Sequence, residues 1–350
     1  MAWLSDNLLQ HLQELVQLPD LSATRYRLLE KHAQGGMGTI YLAEDTQLQR
    51  TVALKVLHVP DASGEWSARL LREARVIAQL EHPSIVPVHD VGTLPDGRVF
   101  YVMKFVQGQR LDQFARSAST LPNRLRIFQK VCEAVAFAHA GGVIHRDLKP
   151  ENIMVGAFGE VQVMDWGLAK IVTAGESGKM PVGSEHQFGD AGRPVAPEGA
   201  HPTQHGTVLG TPAYMAPEQQ RGEVDDIDQR TDVYALGAIL RFLLYGPVPE
   251  AGNAHKPGAR LFQSAGGGRI PKSLAAIVAT AMAASKEQRY ATALALAQDI
   301  ERFLNGLSVS SYKESLFEIV WRWLRRYQFM VLLVLVYLLV RILLFFWLRP

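Results

Sequence analysis

The chain has 350 residues, enough for one large domain of two lobes or for two ordinary domains. Hydrophobic residues make up 48% of it and charged residues 20%, a composition that allows a large core and excludes a disordered chain. The formal net charge of +2 gives no electrostatic reason to expect nucleic acid as a partner, and the single cysteine, Cys132, excludes an intramolecular disulfide.

The first third of the chain is predicted to consist mainly of strands. Residues 1–25 have leucines at helical spacing, which predicts a short N-terminal helical extension. From residue 26 to about 57 the pattern alternates as in strands, and further strands are predicted around 86–92 and 99–106. One amphipathic helix, over 67–80, interrupts them.

After residue 108 the chain is predicted to be mainly helical. A strand–loop–strand region at 143–165 is the exception, and helices are predicted at 228–245 and 271–307. Residues 172–206 are rich in Gly, Pro, Ser and His and lack apolar periodicity, so they are predicted to form a long functional or disordered loop. Three histidines of this loop are expected to be surface residues, since their spacing fits no standard metal site: His186, His201 and His205.

The C-terminal stretch 329–348 is almost wholly apolar and has the length that a helix needs to cross a bilayer. The basic, Trp-containing segment 306–328 before it is predicted to be amphipathic and to lie on the membrane surface. Its arginines favour a cytoplasmic position for the preceding chain, which predicts a single-pass tail anchor in the inner membrane. The alternative is a buried or interfacial helix, which Arg341 favours.

A glycine cluster at residues 35–38 lies between two predicted strands and lets backbone amides approach a polyphosphate, although a simple hairpin loop is the alternative. Downstream, Lys55 lies on an otherwise apolar strand, where an unpaired ammonium is costly unless its head reaches water. Glu73, on the following predicted helix, is the expected partner. Such a pair would direct the ammonium towards two phosphate groups.

The most specific motif is the polar run His145–Asn152, which lies between two apolar runs and predicts a loop projecting from a packed core. Asp147 can orient an attacking hydroxyl and accept its proton. Lys149 can neutralise charge on a transferred phosphoryl group. Asn152 offers a neutral oxygen to a metal ion, and Asp165, at the end of a later apolar strand, is well placed to hold a divalent cation.

Together these motifs resemble the eukaryotic-type protein kinases, most closely the bacterial membrane-attached Ser/Thr kinases, over roughly residues 26–304. The resemblance implies an α+β bilobal fold, with a mainly β N-lobe at 26–105 and a mainly α C-lobe at 106–305 that contains the activation-segment insertion 172–206. It also implies ATP as the phosphoryl donor, Mg²⁺ or Mn²⁺ as the cofactor, and proteins with Ser or Thr acceptors as substrates.

The resemblance assigns roles to individual residues. The catalytic positions are occupied by Lys55, Glu73, Asp147 and Lys149, and the metal positions by Asn152 and Asp165. The residues expected to contact ATP are Ala33, Gly35, Gly36, Met37, Gly38, Ile40, Ala53, Lys55, Met103, Lys104, Val106 and Met154. Ala33 stands where the family pattern has its first loop glycine, and Trp166 stands where phenylalanine is usual.

A further set of residues is expected to serve in regulation or substrate docking: Arg146, Thr203, Thr207, Thr211, Glu218, Asp232 and Arg289. Arg146 beside the catalytic aspartate predicts control by a phosphorylated activation segment, with Thr203 or Thr207 as an autophosphorylation site. Thr211 is expected to touch the catalytic loop and, together with Lys149, favours Ser/Thr over Tyr as the acceptor.

In the C-lobe, Glu218 is expected to pair with Arg289, and Asp232 to brace the catalytic loop. The segment Ala216–Glu218 resembles a peptide-docking element, which argues against a small-molecule phosphotransferase. A membrane-tethered pseudokinase scaffold that binds nucleotide is the second alternative to an active kinase. Membrane attachment would also favour a homodimer and phosphorylation in trans.

Overall fold

The computed structural model describes residues 18–35, 38–58, 60–61, 63–117, 120–171, 212–246, 270–315, 319–320 and 327–347. Five residues predicted to contact ATP or to act in regulation lie outside this set: Gly36, Met37, Thr203, Thr207 and Thr211. The 172–206 insertion and most of the predicted N-terminal helix also lie outside it. The described end of that extension, residues 18–25, forms turns rather than a helix.

The N-lobe is an antiparallel sheet with one helix packed against it. Its elements are β1 (Tyr26–Gln34), β2 (Gly38–Asp45), β3 (Arg50–Leu57), α1 (Glu65–Ala78), β4 (Val88–Thr93) and β5 (Val99–Lys104). The five strands follow the order β1-β2-β3-β5-β4. The predicted pattern of strands around one helix is confirmed.

Both faces of the central strand β3 are buried, and its sequence is accordingly an almost continuous apolar run. Leu54 and Val56 pack on one face in an outer hydrophobic cluster, whereas Ala53 belongs to the main core cluster on the other face. Because successive side chains of a strand point to opposite faces, Lys55 shares the inner face with Ala53. The sheet therefore presents an ammonium group towards α1 and the C-lobe.

The described part of the C-lobe is mainly helical. Its elements are β6 (Gln109–Arg110), α2 (Leu111–Phe114), α3 (Leu121–Ala140), β7 (Val143–Ile144), β8 (Ile153–Val155), β9 (Val161–Val163), β10 (Lys170–Ile171), α4 (Pro217–Gln220), α5 (Gln229–Tyr245), α6 (Lys272–Ala281) and α7 (Ala293–Leu304). The short strands pair as β6-β8-β9 and as β10-β7. This arrangement confirms the predicted bilobal α+β fold.

Helices α3 and α5 form the centre of the C-lobe. Cys132 on α3 is fully buried in this core. Helix α5 begins at an N-cap, where the Asp228 side chain accepts a hydrogen bond from the Arg230 amide. One turn further along, Asp232 is only 1% exposed, and a buried carboxylate is unfavourable unless other groups bind it.

The helical region predicted over 271–307 forms two helices, α6 and α7, with a 3-10 helix at Lys286–Gln288 between them. The physical reason is Arg289, which is 4% exposed and donates hydrogen bonds to the carbonyls of Ala283 and Ala284. These carbonyls follow α6 and accept from a side chain instead of from the amides of a continuing helix.

The chain stays on the C-lobe after α7. Val309 is 4% exposed, and the buried Asp299 carboxylate accepts hydrogen bonds from the amide and the hydroxyl of Ser310. Tyr312 packs against the main core cluster. Core contacts thus continue past residue 305, where the sequence places the end of the C-lobe.

The last described helix is α8 (Gln328–Trp347). It exposes large apolar side chains, with Phe329 75% and Leu333 70% exposed. Searched over the described residues, no helix is both long enough and apolar enough to cross a membrane. The span at 329–348 therefore stays a prediction.

Candidate active site

Lys55 and Glu73 form a buried ion pair between the sheet and helix α1. Lys55 donates to both carboxylate oxygens of Glu73, at 2.7 and 3.0 Å. A third hydrogen bond, at 2.7 Å, reaches the same carboxylate from the hydroxyl of Tyr101 on β5. Burial by itself would lower the pKa of Lys55, but the negative charges of Glu73 and Asp165 raise it above its usual value. Lys55 therefore stays protonated and supplies a positive charge on the inner face of the sheet.

The glycine loop between β1 and β2 is fixed to β3 at two points. A Cβ atom on Gly38 would come within 2.4 Å of a carbonyl oxygen of β3, which explains why a glycine stands there. His58, just beyond β3, places its Nε2 2.8 Å from the Gly35 carbonyl and its Nδ1 3.3 Å from the Thr39 hydroxyl. These contacts position the described part of the loop, although Ala33 occupies the first glycine position.

Five of the residues predicted to contact ATP belong to or pack against the main hydrophobic cluster. Ala53, Met103 and Val106 belong to the main core cluster, and Ile40 and Met154 pack against it. The strand register places Ala53 directly opposite Met103. Because Met154 lies on β8 in the C-lobe, these five residues come from both lobes.

The polar side chains of the catalytic loop converge on the Asp147 carboxylate. Lys149 Nζ lies 2.7 Å from its Oδ2. The Asn152 side-chain amide donates to the Asp147 carbonyl at 2.8 Å and to Oδ2 at 3.2 Å. No hydrogen bond from the described residues uses Oδ1, so this oxygen can receive an incoming hydroxyl group.

Asp232 holds the catalytic loop through its backbone. Its carboxylate accepts hydrogen bonds from the amides of His145 and Arg146, at 2.8 and 2.9 Å, and lies 2.8 Å from His139 Nε2. Burial would raise the pKa of Asp232, but the contacts with His139 and the loop hold it below its usual value. Arg146 has a φ of +69°, a left-handed backbone conformation that costs about 1–2 kcal/mol. The hydrogen bonds from the two backbone amides to Asp232 stabilise this conformation.

Asp165 lies between the two lobes. The amide of the preceding residue donates to the Asn152 carbonyl at 2.9 Å, so the two predicted metal ligands lie on adjacent chain segments. Asp165 Oδ1 is 3.6 Å from Lys55 Nζ, and its side chain is 51% exposed. Trp166 is 1% exposed and its ring centroid lies 4.5 Å from that of His145, so an aromatic residue packs here as predicted.

Glu218 and Arg289 form a buried, bidentate ion pair at 2.8 and 2.9 Å. The Thr231 hydroxyl also donates to Glu218, at 2.9 Å. Burial would raise the pKa of Glu218, but the hydrogen bonds from Arg289 lower it overall. The next residue, Gln219, donates to the Arg146 carbonyl at 2.7 Å. The segment after the activation segment is therefore tied directly to the catalytic loop.

The sequence does not single out Tyr101 or His58, although both contact the site. Tyr101 lies opposite Lys55 in the pairing of β3 with β5. The signal that could have found it is a hydroxyl-bearing residue in an apolar strand, on the same face as the lysine. His58 follows Lys55 by three residues and has no comparable signal, because its contact depends on the folded loop.

Known proteins that are similar to this chain are protein kinases. Residues 26–265 match the family described as the protein kinase domain. The Ser/Thr-protein kinase PknB of Mycobacterium tuberculosis is 36% identical over 82% of this chain and 44% of its own length. PknD of Chlamydia felis is 35% identical over 81% of this chain and 31% of its own length. The chain thus spans less than half the length of these two relatives.

A solved structure with a similar fold is also a protein kinase. The kinase domain of Mycobacterium tuberculosis PknI matches with a TM-score of 0.52 at 25% identity, covering 80% of this chain and 96% of that structure. The family match over 26–265 takes in well over half of the chain and includes all six predicted catalytic and metal-binding residues. This chain therefore belongs to the protein kinase domain family, within the bacterial eukaryotic-type Ser/Thr kinases.

Proposed function

We propose that this chain is an ATP-dependent protein Ser/Thr kinase that transfers the γ-phosphoryl group of ATP to Ser or Thr hydroxyls of proteins. The observation that carries the proposal is the series of contacts Glu73–Lys55–Asp165, which joins the two lobes at the site. The Asp147–Lys149 pair completes the site on the C-lobe side. A pseudokinase scaffold is not favoured, because every one of these groups is present and paired.

In the proposed reaction, Asp147 orients the acceptor hydroxyl through Oδ1 and accepts its proton as the new O–P bond forms, while the bond from the γ-phosphorus to the bridging oxygen breaks and ADP leaves. Lys149, 2.7 Å from Oδ2, neutralises negative charge on the transferred phosphoryl group. Lys55, directed by Glu73, binds the α- and β-phosphates.

The chain segment between the lobes offers a backbone hydrogen-bond acceptor to an adenine base. The Lys104 amide donates to the Pro87 carbonyl at 3.1 Å, so Lys104 can offer the base its carbonyl but not its N–H. That carbonyl can accept a hydrogen bond from the exocyclic amine of adenine. We place the ring against Ile40, Ala53 and Met154, with Val106 as the second backbone contact.

The predicted metal ligands fit Mg²⁺ or Mn²⁺, which prefer oxygen donors. Asp165 provides a half-exposed carboxylate. Asn152 uses its amide nitrogen on Asp147, so its side-chain oxygen remains for a cation. When bound, the ion would neutralise the charge of the nucleotide phosphates.

Activation-segment phosphorylation is the proposed control. Arg146 Nε is buried and has no hydrogen-bond partner among the described residues. Burial lowers the pKa of Arg146 while Asp232 raises it, with a net decrease. A phosphate on Thr203 or Thr207 would supply a dianion for this guanidinium. Mass spectrometry of a fully active preparation should detect one of these phosphates, and finding neither would contradict this control.

The proposed activity is tested with the purified full chain in detergent, γ-labelled ATP, Mg²⁺ and casein as a general acceptor. Label should appear on Ser or Thr after acid hydrolysis and should disappear in Asp147→Asn. Nucleotide binding without any transfer by the wild-type chain would instead support the pseudokinase scaffold. Label confined to a small molecule would support a different phosphotransferase.

The proposal includes attachment to the cytoplasmic face of the inner membrane through α8. The apolar side chains of this helix are exposed along its described length, as Leu335 and Leu339 at 58% and 57% illustrate. Carbonate-washed membranes should retain the wild-type chain, and a variant with Leu335→Lys and Leu339→Lys should be released. Equal release of both would contradict the attachment. Membrane crowding of this kind would favour homodimers and phosphorylation in trans.

A further inference from the structure

The Glu73 carboxylate receives hydrogen bonds from two side chains on neighbouring strands. Lys55 reaches it from β3, and Tyr101 reaches it from β5 at 2.7 Å. Tyr101 is 2% exposed and pairs directly with Lys55 in the strand register. The sheet thus holds the carboxylate of α1 at two adjacent points.

We propose that Tyr101 is a positioning residue that holds helix α1 against the sheet, through Glu73, before any nucleotide binds. For its effect on catalysis the inference rests on the proposed kinase function, whereas the contact itself does not. The hydroxyl touches neither substrate nor reacting atoms in this role; it acts by fixing the partner of Lys55.

The reason is the different mobility of the two donors. Lys55 has a flexible four-carbon chain and a second carboxylate, Asp165, 3.6 Å away, so its ammonium can exchange between partners. Tyr101 has two rotatable bonds and a fully enclosed ring. Burial, and then the charge of Glu73, raise the pKa of Tyr101 well above its usual value. Its hydroxyl therefore remains a donor at every physiological pH.

A buried tyrosine also needs a hydrogen-bond partner simply to be stable, and Tyr26 provides the matched control for that effect. Tyr26 lies in the same sheet, is 4% exposed, and donates to the Asp90 carboxylate at 2.8 Å. It belongs to the outer cluster on the opposite face of the sheet from Lys55. Tyr26→Phe removes a buried hydroxyl that donates to a carboxylate, and also its bond from Arg25 Nε at 3.0 Å, without removing any contact with α1.

Hydrogen exchange of nucleotide-free full chain is the first test, since it needs no turnover. In Tyr101→Phe, the amides of Glu65–Ala78 should exchange about tenfold faster, as expected for loss of one hydrogen bond to a charged group. In Tyr26→Phe the same amides should match the wild type. Unchanged exchange in Tyr101→Phe, or equal acceleration in both variants, would overturn the inference whether or not the chain is a kinase.

Steady-state kinetics is the second test. Without this contact, α1 is correctly positioned in a smaller fraction of the protein molecules, and only these molecules bind ATP well. The KM for ATP should therefore rise about fivefold, while kcat changes less than twofold. In a Glu73→Leu background, which has no acceptor for the Tyr101 hydroxyl, Tyr101→Phe should have no further effect on KM, because the two residues act through one contact. A full additive effect in that background, or a loss confined to kcat, would show that Tyr101 acts otherwise.

Discussion

The buried carboxylates that hold the two halves of the active site accept hydrogen bonds from different groups, backbone amides in the C-lobe and side chains in the N-lobe. On the C-lobe side, the buried Asp232 binds backbone amides, those of His145 and Arg146. On the N-lobe side, the described hydrogen bonds to the Glu73 carboxylate come from side chains, those of Lys55 and Tyr101.

This difference indicates which half can move. The backbone amides cannot leave Asp232 unless the catalytic loop unfolds. Arg146 would then also leave its left-handed backbone conformation. The side-chain bonds to Glu73 can break while the sheet and α1 stay intact. We therefore expect C-lobe substitutions to lower the free energy of unfolding, and N-lobe substitutions to lower activity in a folded protein.

The largest effect is expected for Arg289→Met, which leaves the Glu218 charge buried and unpaired. The free energy of unfolding should fall by about 4 kcal/mol, the usual result of breaking a buried ion pair. Denaturant unfolding in detergent measures it. Adding Glu218→Leu should recover part of the loss, because no charge then remains buried. A loss under about 1 kcal/mol in the single variant would contradict a buried pair.

Asp232→Asn should lower the free energy of unfolding by about 2–3 kcal/mol, because an amide cannot accept every hydrogen bond of the carboxylate. The fold lowers the pKa of this group below its usual 3.8, so its stabilisation is complete above that value and is lost as the pH falls through the lower folded value. The free energies of unfolding of the wild type and Asp232→Asn, measured from pH 7 to pH 3, should therefore approach each other only at the acidic end of this range. A constant difference across this range would contradict the assignment.

On the N-lobe side, Glu73→Gln should lower kcat/KM about 100-fold, or about 2.7 kcal/mol, because Lys55 loses its charged partner. The free energy of unfolding should fall by only about 1–2 kcal/mol, less than in Arg289→Met, because Lys55 keeps a second carboxylate, Asp165, 3.6 Å away and the amide oxygen still accepts a hydrogen bond. Glu65→Gln, on the exposed first turn of α1, is the control and should retain full activity. A large loss of stability in Glu73→Gln would remove the contrast between the lobes.

The smallest effect is expected for His58→Ala, which removes the contact between β3 and the glycine loop. The KM for ATP should rise about threefold, about 0.7 kcal/mol, with kcat unchanged. His58→Gln keeps a donor for the Gly35 carbonyl and should restore part of the affinity. If both variants bind ATP as the wild type does, the loop does not depend on this contact.

The sequence predicts the pairs whose members lie in recognisable motifs. Lys55 with Glu73 and Glu218 with Arg289 are found together as expected, since each charge is too unfavourable to bury alone. Tyr101 and His58 escape prediction for a physical reason: their contacts depend on strand register and loop shape.

The boundary between α6 and α7 also escapes prediction, because it depends on a contact that forms only in the folded chain. The pattern over 271–307 predicts helical structure but does not place the break between α6 and α7. The break at Arg289 depends on an ion pair with a residue 71 positions away, so no local pattern encodes it. The bilobal fold, by contrast, is implied by the resemblance of the motifs to protein kinases, whereas local periodicity predicts only the individual strands and helices.

The most direct test of the account compares ATP binding and phosphoryl transfer in the same preparations of wild type and Asp147→Asn. The wild type should transfer phosphate to Ser or Thr, and the variant should bind ATP with unchanged affinity yet transfer at least about 1,000-fold more slowly, as expected for loss of a catalytic base. Equal transfer rates in the two proteins would contradict the central claim that Asp147 is the group around which the site is assembled.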